Sequence, residues 1–164
     1  VKFEVNDDIK ADVLNVLPPM RAGTIAQQTG LANINARWCD VNYMTYESKV
    51  HAGIHVVGDS IQLAPLMPKS GHMANQQAKV AAAAIIELLA GRAPHTQPVV
   101  MNTCYSFVDA KSAIHVASIH QYSAEQKTML TVPGSGGVSG GGATELEGTY
   151  AMAWAQNIWA DMLA

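Results

Sequence analysis

Gly53-Ile54-His55-Val56-Val57-Gly58-Asp59-Ser60, followed by Pro68-Lys69-Ser70-Gly71-His72 and an alanine-rich run, decides how this chain is read. The apolar Gly53–Val57 segment predicts a buried strand that ends in Gly58-Asp59. After a short loop the composition predicts a helix over 73–90, rich in Ala, Ile, Leu and Glu and closed by Gly91. An acidic residue at a strand tip can hold a ribose or ribityl hydroxyl. A helix N-terminus offers unpaired N–H groups and about half a positive charge to an anionic or electron-accepting group. Together these suit a flavin dinucleotide. The Gly-x-Gly-x-x-Gly turn that usually accompanies such a site is absent from the 164 residues, so the chain reads as the later part of a flavoprotein.

Before this stretch, Val1-Lys2-Phe3-Glu4-Val5 alternates, Asn6-Asp7-Asp8 supplies a turn, and Ile9 to Leu17 predicts a second, more buried strand stopped by Pro18-Pro19. Ala22 to Gly30 fits a short helix, Asn33 to Asp40 a loop, and Val41 to Tyr46 another strand. After it, Ala93-Pro94-His95-Thr96-Gln97-Pro98 reads as a linker. The pattern then turns to β: Val99–Val108 and Ala113–His120 around a hairpin loop at Asp109–Ser112, and a third strand at Thr128–Val132. Gly134 to Gly142 is a flexible loop; no Lys-Ser/Thr follows it, so it is not a phosphate loop. Glu145 to Ala164 carries Leu146, Tyr150, Trp154 and Ile158 at helical spacing and predicts an amphipathic helix.

Hydrophobic residues make up 49% and charged residues only 14%, which predicts a large buried surface or a face that meets a partner. A net charge of −3, with no Lys/Arg cluster, argues against nucleic acid. The run Val80–Ala90 is too short to span a bilayer, so no membrane insertion is expected. Two cysteines, Cys39 and Cys104, make neither a zinc site nor a disulfide framework. His51 and His55 straddle Gly53 in an extended segment, which removes helical ligand geometry, and no metal is expected.

Arg37-Trp38-Cys39-Asp40-Val41, Gly53–Asp59, Met67-Pro68-Lys69-Ser70-Gly71-His72, Ala74-Asn75 with Gln77-Ala78-Lys79-Val80, and Asn102-Thr103-Cys104-Tyr105-Ser106 follow one another in an order that resembles the flavoprotein subunit of flavocytochrome c sulfide dehydrogenase. The resemblance runs to the terminal Tyr150-Ala151-Met152-Ala153-Trp154 segment. It implies a chain of α/β to α+β class. Residues 1–95 would be the terminal part of an FAD-binding dinucleotide fold, with strands and one long helix, and 96–164 a small α+β C-terminal domain that binds flavin and faces the haem subunit. The expected cofactor is FAD, and the expected activity is transfer of electrons from sulfide to a c-type cytochrome in the periplasm. By the same resemblance Cys39 is one half of a redox disulfide over the flavin. Its partner cysteine, and the first dinucleotide turn, would lie in an N-terminal part preceding Val1. The chain alone is then expected to be inactive, and its uncovered surface to favour self-association.

Each candidate has a plainer alternative. Asp59 either accepts hydrogen bonds from the ribityl chain or caps its own turn through an Asx bond. Gly58 either permits close approach or serves a turn with positive φ. Pro68, Lys69, Ser70 and Gly71 either present N–H groups to the pyrimidine edge of the flavin or simply start a helix, with Lys69 a surface cation. Trp154 packs near the flavin or haem-facing surface, or in the core. Cys104 reads as core. Two rivals stand beside the sulfide:cytochrome reading. One is a related quinone-reducing flavoprotein, disfavoured because no Lys or Arg follows Lys127. The other is a non-catalytic docking module for a cytochrome subunit.

Overall fold

The computed structural model describes residues 1–163. Its elements in order are α1 (Thr24–Gln28), β1 (Val41–Asn42), β2 (Glu47–Ser48), a 3₁₀ turn at Gly58–Ser60, α2 (Gly71–Leu89), β3 (Val99–Phe107), β4 (Ala113–Ser123), β5 (Thr128–Thr131), β6 (Gly137–Val138) and α3 (Glu145–Leu163). The content is mixed helix and antiparallel sheet.

The long helix starts at Gly71, two residues before the expected Met73. Ser70 is extended (φ −159°, ψ 156°) and its Oγ accepts from Met73 N at 3.0 Å, an N-cap that relieves one of the unpaired first-turn donors. The alanine-rich middle has high helix propensity. At the far end Gly91 takes φ +70°; Arg92 N donates to Glu87 O (2.8 Å) and Gly91 N to Leu88 O (3.0 Å), the bond pattern of a Schellman stop.

β3 and β4 form a continuous antiparallel hairpin from Val99↔Gln121 to Phe107↔Ala113. Its turn is fixed by the Asp109 carboxylate, which accepts from Lys111 N (2.8 Å) and Ser112 N (2.7 Å). β5 and β6 both pair with the other edge of β4. The glycine-rich loop expected to be unstructured thus contributes a short strand, with Val138 opposite Val116. Helix α3 is preceded by Thr144, whose Oγ1 accepts from Glu147 N at 3.1 Å. It closes on the hairpin at Gly148, where a Cβ would lie 1.7 Å from Lys111 O. Only glycine permits that approach.

The main buried cluster joins Val41, Tyr43, Tyr46, Ile61, Met67, Met73 and Ala81 to Val100, Tyr122 and Met129. It therefore draws on both sides of residue 95, with α2 between the loops and the sheet. A smaller cluster holds Ala22, Ala26, Leu31, Ala32 and Cys39.

Three sequence expectations are corrected. Residues 1–5 and 9–17 are not strands: residues 1–21 form no helix or strand and are exposed, with Val5, Val13 and Leu17 at 89%, 88% and 93%. A strand needs a neighbour along its whole length for its N–H and C=O groups; here Val1 and Ile9 exchange a single pair of bonds (2.7 and 3.0 Å), and no strand of the described residues lies beside the segment. Gly53–Val57 is not a regular strand either; it makes one bridge, Glu47↔His55, and Gly58-Asp59 lies in a 3₁₀ turn rather than at a strand tip. Of Val41–Tyr46, only Val41–Asn42 is strand, because the Asn42 side chain and carbonyl turn the chain back by accepting from Met44 N, Thr45 N and Tyr46 N.

Candidate functional site

The Gly58-Asp59-Ser60 turn is built against α2. Gly58 takes φ +73° and lies so close to the helix that a Cβ there would meet Ala74 Cβ at 3.2 Å. Its N–H donates to Gln77 Oε1 at 2.6 Å. Gln77 is 1% exposed and spends its amide on Met67 Sδ at 3.6 Å, so it is a dedicated strut between helix and turn. On the other side Lys69 Nζ donates to the carbonyls of Asp59 (2.6 Å) and Ile61 (3.2 Å). Its ammonium also lies 3.9 Å from the centroid of the Trp38 ring. Burial lowers the Lys69 pKa, and the Asp59 charge opposes that shift.

These contacts fix Asp59 and the start of α2 as one unit. The Asp59 side chain is exposed and accepts no hydrogen bond among the described residues, so it does not cap its turn. The backbone N–H groups of Lys69, Ser70, Gly71 and His72 likewise find no acceptor among the described residues. A free carboxylate and a row of free N–H groups therefore stand at the two ends of the Lys69 clamp. Pro68, with its fixed φ and no N–H, leads the chain into that row. A cleft of about 190 Å³ lies between Met20, Arg21, Trp38, Asp59, Ser60 and Lys69. A larger concavity, about 820 Å³, is elsewhere, along the second half of α2 and residues 93–99; its walls are mainly apolar, and it meets neither Asp59 nor the helix start.

Trp154 is brought to the same helix start from α3. Its ring meets His72 edge-on at 5.4 Å and Tyr105 at 5.8 Å. Its Nε1 is buried and has no partner among the described residues. His72 is 8% exposed, and its Nδ1 accepts from Thr103 N at 3.0 Å. Burial pushes its pKa down, and an N–H pointed at Nδ1 is accepted only by the neutral ring, so the proton sits on Nε2.

Cys39 is joined to the site by backbone alone. Its N–H donates to Ser60 O (2.9 Å), and its carbonyl accepts from Gln62 N (2.8 Å). The side chain is fully buried against Ala22, Ala26, Leu31 and Ala32, and burial raises the thiol pKa. Cys104 is half-exposed rather than core, on the sheet beside Asn102, whose Nδ2 lies 3.4 Å from its Sγ.

Sequence reasoning named His72, Gln77 and Asn102 within their motifs but missed the side-chain contacts each of them makes. Asn102 is 3% exposed and accepts a hydrogen bond from Ser70 Oγ across 32 residues of sequence. Its place in the Asn-Thr-Cys-Tyr-Ser run was visible, but nothing local in that run marks the helix cap it reaches.

Residues 96–163 match the family described as flavocytochrome c sulphide dehydrogenase, flavin-binding. The matched segment supplies Asn102, Thr103 and Trp154, all three of which grip the start of α2. Residues 96–163 are thus similar to the flavin-binding domain of flavocytochrome c sulphide dehydrogenase, and a flavin, in keeping with the expected FAD, is the cofactor that this similarity supports.

Proposed function

We propose that this chain is part of an FAD-dependent sulfide:cytochrome c oxidoreductase and supplies half of its flavin site. Residues 1–95 are the end of the FAD-binding domain, and 96–164 the C-terminal domain that faces a c-type cytochrome subunit. The observation that carries the reading is the locked pair described above: a free, exposed Asp59 carboxylate and unpaired N–H groups at residues 69–72. That donor set fits the cofactor. The carboxylate accepts from ribityl hydroxyls, and the N–H groups donate to the pyrimidine edge, where a helix N-terminus favours negative charge by about 0.3–1 kcal/mol. FAD, when bound, takes electrons in pairs and releases them singly.

The residues divide the work. Gly58 lets the backbone pass close to α2, and Gln77 holds it there. Lys69 spends its charge on carbonyls and so acts as a clamp. Ser70 caps α2, Gly71 adds an N–H without a side chain, and Trp154 forms a wall behind His72. The 190 Å³ cleft is smaller than the roughly 300–1,000 Å³ of a typical ligand site, which supports a companion N-terminal part that completes the walls. Cys39 is one half of the redox disulfide. Hydrosulfide attack would break its S–S bond, form a new bond to the attacking sulfur and release the other cysteine as thiolate. A thiol sealed under the Ala22–Ala32 cluster reacts only when that cover opens. A periplasmic location belongs to the same reading, since a redox disulfide is compatible with that compartment.

The test is sulfide-dependent reduction of a c-type cytochrome by the flavin-loaded protein. Cys39→Ser should abolish reduction while leaving flavin content unchanged. Undiminished reduction in Cys39→Ser would remove the disulfide from the mechanism, and turnover with a quinone but not a cytochrome would replace the acceptor.

A further inference from the structure

The start of α2 is set by the segment that follows it in sequence, and one residue makes the link. Ser70, the N-cap, donates its hydroxyl proton to Asn102 Oδ1 and in turn accepts from Met73 N at 3.0 Å. Asn102 sits in the middle of β3, opposite Ser118 on β4, where the hairpin holds its backbone. Its side chain is buried at 3% exposure, and its amide is turned toward Cys104 Sγ at 3.4 Å. A buried side-chain amide needs partners, and this one finds its acceptor role in the cap. One residue on, Thr103 N donates to His72 Nδ1, so adjacent β3 residues fasten the first turn of the helix by two bonds.

The geometry points to Asn102 as a positioning residue for the flavin: through Ser70 it fixes where the N–H groups of residues 69–72 stand, and so sets how strongly the protein favours the reduced, more negative form. This rests on the flavin reading above and deepens it. Asn102 acts through another residue and is not itself a ligand. The chemistry explains the expected sign. A misplaced helix N-terminus weakens its hold on the reduced cofactor more than on the neutral oxidised one, because only the former carries charge at the pyrimidine edge. A purely structural role would lower stability and leave that difference untouched.

The experiment is the reduction potential of the flavin in the flavin-loaded protein, for wild type, Asn102→Ala, Ser70→Ala, Ser70→Thr and the double variant. Asn102→Ala should shift the oxidised-to-reduced balance by about threefold to tenfold toward oxidised, up to ~30 mV lower for a two-electron couple. Ser70→Ala should produce a similar shift, Ser70→Thr should retain most of the wild-type value, and the double variant should fall no further than either single change. Unchanged potential in Asn102→Ala, or full additivity in the double variant, would overturn the assignment. Failure of the wild-type protein to hold flavin would instead sink the reading beneath it. Ser70→Thr supplies a folded reference should Asn102→Ala not fold, and a wild-type potential in Ser70→Ala would also overturn the link.

Discussion

Residues 1–21 and the β3–β4 hairpin carry similar apolar patterning and end in opposite states. Val1-Lys2-Phe3-Glu4-Val5 alternates as cleanly as any strand in the molecule, yet it stays irregular and exposed. Val99–Phe107 finds its partner across a short, Asp109-fixed turn and closes a nine-residue strand against β4. The difference is the partner, not the pattern. Alternation states which face would be buried if a neighbour were present; it does not supply the neighbour.

The sharpest way to break the contrast is at Gly148. If α3 is docked on the hairpin as described, Gly148→Ala drives a Cβ into Lys111 O and should destabilise by about 3 kcal/mol, read as a lower urea midpoint. A wild-type midpoint would mean that α3 does not pack there.

A smaller effect comes from pH. His72 and His120 are buried, and burial lowers the pKa of both below the ordinary 6.5. Just below that value the unfolded chain binds protons that the folded one refuses. Stability should therefore be fully present above pH 6.5, decline as pH falls through it, and level off beneath the folded-state values. Urea midpoints across that range check the slope, and replacing both histidines by glutamine should flatten it.

The smallest effect belongs to the other region. Leu17→Ser should change stability by less than about 0.5 kcal/mol, because its side chain is 93% exposed. A large loss would mean that this segment is packed after all.

Much of the frame was legible in the sequence. Helix α2 announces itself through composition, Ser70 and Gly91, the β3–β4 hairpin through its turn residues, and α3 through its spacing, all of them local signals. Pro68–Gly71 and the Gly58-Asp59 pair were also legible as a candidate site, although the latter sits in a 3₁₀ turn. What escaped is the set of long-range supports. Gln77 to Gly58 spans 19 residues, His72 to Thr103 spans 31, and Ser70 to Asn102 spans 32. Each is a polar residue whose worth depends on a contact made only after folding. Cys39 shows the reverse case, since a resemblance marks its chemistry while its surroundings keep the thiol apolar, buried and protonated.

The central claim is that Asp59 and the start of α2 hold a flavin. The most direct measurement is the ratio of FAD to protein, by absorbance and by released cofactor, in the wild-type protein and in Asp59→Ala. Near-stoichiometric FAD that falls at least severalfold in Asp59→Ala, with an unchanged urea midpoint, is the result expected. FAD retained equally by both would take Asp59 out of the site, and wild-type protein that binds none would contradict the reading itself.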